Sequence, residues 1–146
     1  QVVVATGTIP CELRPQLVEP IRLIKELRAI KKWKDPAGNW VFDFGVNVAG
    51  VPRIEVNLPK GTHLKMRMGE ILNEDGSIDF STTGVFATGV IQTDEYICAG
   101  DGVETWNPRF SYHGYRYLEL SGLKEVNSSV QISRLTHCMN WQFGRC

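Results

Sequence analysis

Thr62-His63-Leu64-Lys65-Met66-Arg67-Met68-Gly69-Glu70-Ile71-Leu72, followed by Asn73-Glu74-Asp75-Gly76, is the stretch on which the fold turns. Leu64, Met66 and Met68 alternate with His63, Lys65 and Arg67, the period-two pattern of a strand with one face in a core and the other in water. Asp75-Gly76 then supplies tight-turn chemistry, so the stretch reads as two paired strands.

The same grammar extends in both directions. Upstream, Trp40 to Phe44 places Trp40, Phe42 and Phe44 on one face, and Arg53 to Leu58 places Ile54, Val56 and Leu58 together before the turn Pro59-Lys60-Gly61. Downstream, Val90 to Cys98 alternates, Ala99-Gly100-Asp101-Gly102 turns, and Phe110 to Leu120 makes an aromatic-rich strand ending at Ser121-Gly122. Val130 to Cys138 supplies a last strand, and Ser81 to Gly89, rich in Thr, Ser and Gly, reads as the longest loop. Ile21 to Trp33 fits two periods. Ile21, Ile24, Leu27, Ile30 and Trp33 recur every three residues as on a helix, while the charge alternation suits a strand; its strand neighbours favour the strand. The expectation is an all-β, antiparallel β-sandwich with little or no helix, in a single domain over residues 1–146 without repeat or linker.

Composition limits the function. A chain of 146 residues with 42% hydrophobic and 22% charged residues is globular in class and long enough for one core. No apolar run approaches the roughly 18 residues of a spanning helix, so no membrane partner is expected. The opening Val2-Val3-Val4-Ala5 is too short for a signal-peptide core, which places any export signal outside this chain and leaves the compartment open. Sixteen basic residues balance sixteen acidic ones without a long run of either sign, so a nucleic acid is not an expected partner either. Lys31, Lys32 and Lys34 read as a solvated strand face. Cys11, Cys98, Cys138 and Cys146 lack CxxC spacing and fit no zinc motif; paired disulfides and lone buried thiols both remain open.

Strand parity singles out two charges. Glu70 shares its face with Leu64, Met66, Met68 and Leu72, and Arg116 shares its face with Phe110, Tyr112, Leu118 and Leu120. A buried charge needs a partner, so Glu70 and Arg116 are expected to pair as a structural clamp, unless a bulge at Gly114 reverses the parity. Arg109, His113, Tyr115 and Tyr117 occupy the other face of that strand. Aromatic rings among planar polar groups suit a pyranose, whose C–H patches are ringed by hydroxyls, so these four are the candidate carbohydrate contacts. Trp33, Trp40 and Trp106 read as core. Asp43, Glu70, Asp75, Asp79, Asp94 and Glu95 are possible members of a glycosidase carboxylate pair, but nothing in the sequence selects two of them. There is no GxSxG, HExxH or phosphate loop, the three histidines are scattered, and neither metal nor cofactor is expected.

Several motifs resemble, in order and spacing, the β-sandwich module that precedes the catalytic barrel in bacterial α-L-rhamnosidases of glycoside hydrolase family 78. They run from Leu13-Arg14-Pro15-Gln16 and Glu19-Pro20-Ile21-Arg22 through Val41-Phe42-Asp43-Phe44-Gly45, Asn47, Ala49-Gly50, Pro59-Lys60-Gly61-Thr62 and Gly69-Glu70-Ile71-Leu72. Asp75-Gly76-Ser77, Thr93-Asp94-Glu95-Tyr96, Gly100-Asp101-Gly102 and Trp106-Asn107-Pro108-Arg109-Phe110 through Tyr117 complete the set. The family pattern has Gln at Val46, a bulky aromatic near Val51 and Phe at Tyr115. The resemblance implies a concanavalin-like, jelly-roll sandwich, with residues 1–20 as lead-in and 139–146 as the start of a connection to an (α/α)6 barrel, the implied partner. The family's catalytic acids belong to that barrel, so none is carried onto this chain. The implied role is a non-catalytic accessory domain of an enzyme that removes terminal α-L-rhamnose from glycosides. An autonomous module binding rhamnose-containing glycans and a purely structural spacer are the alternatives.

Overall fold

The computed structural model describes residues 22–82, 92–123 and 130–138. Among these residues ten strands run in the order β1 (Arg22–Arg28), β2 (Lys31–Lys34), β3 (Trp40–Val56), β4 (His63–Gly69), β5 (Ile71–Leu72), β6 (Ile78–Asp79), β7 (Thr93–Ile97), β8 (Glu104–Trp106), β9 (His113–Ser121) and β10 (Val130–Cys138). Among the described residues the only helical segment is the short turn Phe80–Thr82. Every pairing is antiparallel, and the molecule is a concanavalin-like β-sandwich.

β3 organises the molecule. Its first residues pair with β2 on one edge, Lys34 opposite Trp40, and with β9 on the other, Leu120 opposite Trp40. Its last residues pair with β10 on one edge, Val130 opposite Val56, and with β8 on the other, Glu104 opposite Val56. A straight strand of that length would run about 55 Å. Here Phe42 and Phe44 from its first half join Ile54 and Val56 from its second in one core, with Leu64, Met66 and Met68 of β4 and Tyr115, Leu118 and Leu120 of β9. The strand therefore serves both layers of the sandwich. Its register against β9 jumps midway. Asp43 stands opposite Tyr117 and Val48 opposite Tyr115, which leaves Phe44, Gly45, Val46 and Asn47 facing Arg116 alone. An interruption of this kind bends a strand and raises its twist.

The opposite face of the first layer carries a second, smaller core of Val41, Ile78 and Tyr117, packed by Trp33, Leu72 and Phe80. The β5–β6 hairpin covers it, tied down by Trp33 Nε1 donating to the Gly76 carbonyl at 2.9 Å. Gly69 lets the hairpin approach, since a Cβ there would stand 2.2 Å from Ile78 Cγ2.

The strand reading of Ile21 to Trp33 holds over its described residues, with Ala29 and Ile30 dividing it into β1 and β2. Trp40, Phe42, Phe44, Ile54, Val56 and Leu58 face the core as their parity requires. Two expectations need correction. Trp40 to Phe44 and Arg53 to Val56 belong to one strand, which ends before Leu58, and Phe110 and Tyr112 precede β9, where both are exposed. Most of Ser81 to Gly89 lies outside the described residues, as do the lead-in 1–20, the connection 139–146, Cys11 and Cys146. Cys98 is a free, buried thiol.

Candidate functional site

The interruption in β3 creates the first polar assembly. Gly45 takes φ of 80°, which turns its amide back so that it donates to Asp43 Oδ1 at 2.6 Å. Arg116, opposite the interruption, closes a two-pronged ion pair on the same carboxylate: Nε to Oδ1 at 2.8 Å and Nη2 to Oδ2 at 2.9 Å. The guanidinium bond holds the Asp43 carboxyl below the usual aspartate range; desolvation opposes this, and the Gly45 amide supports it. Arg116 also lies over the Tyr117 ring, 5.0 Å from its centroid.

The partner of Arg116 is thus Asp43 and not Glu70, a correction with two physical causes. The chain bends out of β4 after Gly69, so the alternation that buries Met66 and Met68 stops before Glu70, which is exposed. On β9 the parity reverses at the point where β3 is interrupted, so Tyr115 enters the main core while Tyr117 faces the small one. Gly114 marks the wrong strand: the surplus residues are on β3. Glu70 lies at the start of β9, its Oε1 3.4 Å from where a Gly114 Cβ would stand.

The second assembly surrounds the beginning of β9. His113 Nε2 lies 3.0 Å from Asp94 Oδ2, with side-chain exposures of 13% and 10%. Ser111 Oγ donates to Asp94 Oδ1 at 3.5 Å. Gln92 uses its amide as a strand would use its backbone, donating to the Gly114 carbonyl at 3.1 Å and accepting from the Gly114 amide at 3.2 Å. Ser111 and His113 share one carboxylate and do not bond each other, so the geometry lacks the serine-to-histidine contact of a nucleophile and its base. Among the described residues no group of three or more His, Cys, Asp or Glu side chains is placed to hold a metal ion.

The carboxylates have structural employment. Asp75 accepts from Ser77, and Asp79 accepts from the Ser81 amide, bonds that lower both carboxyls. Glu95 pairs with His63 and Lys65. Glu104 takes the Tyr96 hydroxyl at 2.5 Å and the amides of Ala99 and Gly100, closing the turn between β7 and β8; the Tyr96 bond is the main cause of its lowered carboxyl. A glycosidase general acid needs a carboxyl pushed upward and open to substrate. The one raised by its surroundings among the described residues is Glu119, through burial, and it is held by Arg67 at 2.6 and 2.9 Å.

The four candidate sugar contacts do not share a face. Tyr115 is wholly buried, edge-on to Phe44 at 5.9 Å, and Tyr117 is buried beneath the β5–β6 hairpin, so neither offers its ring to a ligand. His113 is half-buried on Asp94, and Arg109 is exposed. Parity misses the Asp43–Arg116 pair because it spans the irregular register between β3 and β9, and the Asp94–His113 pair because β7 and β9 are not paired to each other. The only hint is that Asp43 stands two residues before a glycine and that Asp94 and His113 lie near the starts of their strands.

A family profile described as the bacterial α-L-rhamnosidase concanavalin-like domain matches residues 33–138. An α-L-rhamnosidase of Streptomyces avermitilis is 35% identical over 134 residues, which is 91% of this chain and 13% of that protein. One from Formosa agariphila is 36% identical over 109 residues, 74% of this chain and 11% of that protein. The chain thus spans 11% to 13% of the length of these curated relatives. The structure of α-L-rhamnosidase from Dictyoglumus thermophilum superposes with a TM-score of 0.74 at 36% identity, covering 84% of this chain and 14% of that one. The Streptomyces avermitilis enzyme complexed with L-rhamnose gives a TM-score of 0.74 at 35% identity, covering 84% and 12%.

Proposed function

The chain belongs to the bacterial α-L-rhamnosidase concanavalin-like domain family, and from that membership we propose that it is a non-catalytic accessory domain of an α-L-rhamnosidase, seated against a catalytic (α/α)6 barrel. The observation that supports this most is one of proportion: a module of this length is 11% to 13% of relatives that are themselves α-L-rhamnosidases. The chemistry agrees. Asp43, Asp75, Asp79 and Glu104 are held below their ordinary range, whereas protonating a leaving group at neutral pH calls for a carboxyl raised above it.

The test compares the 146-residue chain with the full-length protein that carries it, using release of nitrophenol from an aryl α-L-rhamnoside. The full-length protein is expected to release it and the chain alone to leave it intact; turnover by the chain alone would overturn the proposal. Carbohydrate binding keeps Arg109 and His113 as its surface candidates. Titration of the chain with L-rhamnose and rhamnosylated glycans, followed by calorimetry, addresses it directly.

A further inference from the structure

Pro108 to Tyr112, the approach to β9, presents an aromatic ring left open among the described residues. Phe110 is fully exposed, at 102% of its reference area, and Tyr112 is half exposed at 53%. A loop that was merely loose would not hold such a ring in place, but this one is fixed at both ends. Before it, Trp106 is paired to Ile54 of β3 and lies against Tyr96 with ring centroids 5.3 Å apart. After it, His113 is held by Asp94 at 3.0 Å. Held at both ends, the loop loses less conformational freedom on binding than a free one would, which favours an exposed aromatic side chain as an anchor.

We infer that Phe110, with Tyr112 beside it, is the anchor by which this domain docks onto the catalytic domain of its parent α-L-rhamnosidase, entering an apolar pocket there with an acidic rim facing Arg109. The inference rests on the accessory-domain reading above. It commits to the catalytic domain because most of the length of each relative lies outside the matched module, so the module's nearest neighbour is the rest of the same polypeptide. A domain interface buries about 600–1,500 Å², of which the fully exposed Phe110 supplies roughly 150–250 Å² and the half-exposed Tyr112 less. A sugar platform is the weaker occupant: the polar groups that would ring the bound pyranose, Ser111 Oγ and His113 Nε2, are both turned onto Asp94.

Hydrogen exchange read by mass spectrometry tests the docking, comparing residues 107–113 in the 146-residue chain and in the full-length enzyme. Exchange there is expected to slow by about tenfold or more in the full-length enzyme, and Phe110→Ser in that enzyme is expected to restore the faster rate. The same substitution in the chain alone should leave its unfolding temperature unchanged, because the ring is fully exposed. Equal exchange in both proteins would overturn the inference. So would a dimer of the chain alone that Phe110→Ser dissolves, which assigns the ring to a second copy, or a shift of the Phe110 ring resonances on addition of L-rhamnose, which assigns it to sugar. Turnover of an aryl rhamnoside by the chain alone would overturn the accessory reading instead, so the two failures are told apart.

Discussion

Asp43 and Glu119 are the two buried acids whose protonation the fold biases, and they are biased in opposite directions. Asp43 is held below its ordinary value of 3.8, chiefly by Arg116, so its contribution to stability is complete above that value and is lost as pH falls through the lower folded one. Arg116→Met removes the main cause. The gap in unfolding temperature between wild type and Arg116→Met is expected to be constant from pH 7 down to about 4 and to narrow below it, as followed by circular dichroism melts. Glu119 is raised above its ordinary 4.5 by burial, so folding gains from its protonation as pH falls through the raised value, and the gain is complete below 4.5. Glu119→Gln should abolish that gain, flattening the melting profile between neutrality and pH 4.5 relative to wild type. At this scale the sequence was a partial guide. It marked Arg116 as a charge needing a partner, yet parity assumes an unbroken register, and the four β3 residues between Asp43 and Val48, three more than β9 has there, lie opposite Arg116 itself.

The elements were more legible than their joins. Alternation located β4, because one of its faces is dictated by burial and a one-residue slip would expose every core side chain. Alternation reads β3 as two runs, Trp40 to Phe44 and Arg53 to Leu58, and does not reveal that the chain continues in the same strand through the interruption between them. Tertiary approach was invisible too, although it leaves a mark in glycine. Gly122 has φ of 95°, and a Cβ there would stand 2.0 Å from the His63 carbonyl oxygen, a backbone atom unable to move without displacing β4. Gly122→Ala is expected to destabilise the domain by about 3 kcal/mol through the combined left-handed strain and overpacking, measured by urea titration. Gly61→Ala supplies the comparison: its φ of 83° carries the same backbone strain, but nothing lies within 4 Å of the added Cβ, so a smaller loss is expected.

For the whole molecule, the two halves of β3 line a single core, so the layers are expected to unfold together. Leu118→Ala, at a fully buried position of that core, should cost about 2–5 kcal/mol while leaving one cooperative transition, with tryptophan fluorescence and circular dichroism superimposing. Family membership was readable from ordered motifs spread along the chain; the docking ring was not, because no rule of composition distinguishes an exposed Phe110 from the buried Phe42 and Phe44. The arrangement of β3 also sets the order of events during synthesis. Its edges are satisfied by β9 and β10, which begin at His113 and Val130, so a nascent chain that has emerged only through β8 holds a long, apolar strand with most of its partners still unmade. Pairing so distant in sequence is slow to close and leaves strand edges open to other chains in the meantime. Almost all of the domain must emerge before β3 has its full set of neighbours, so the interval between synthesis of Val56 and Cys138 is the one in which its edges stand open.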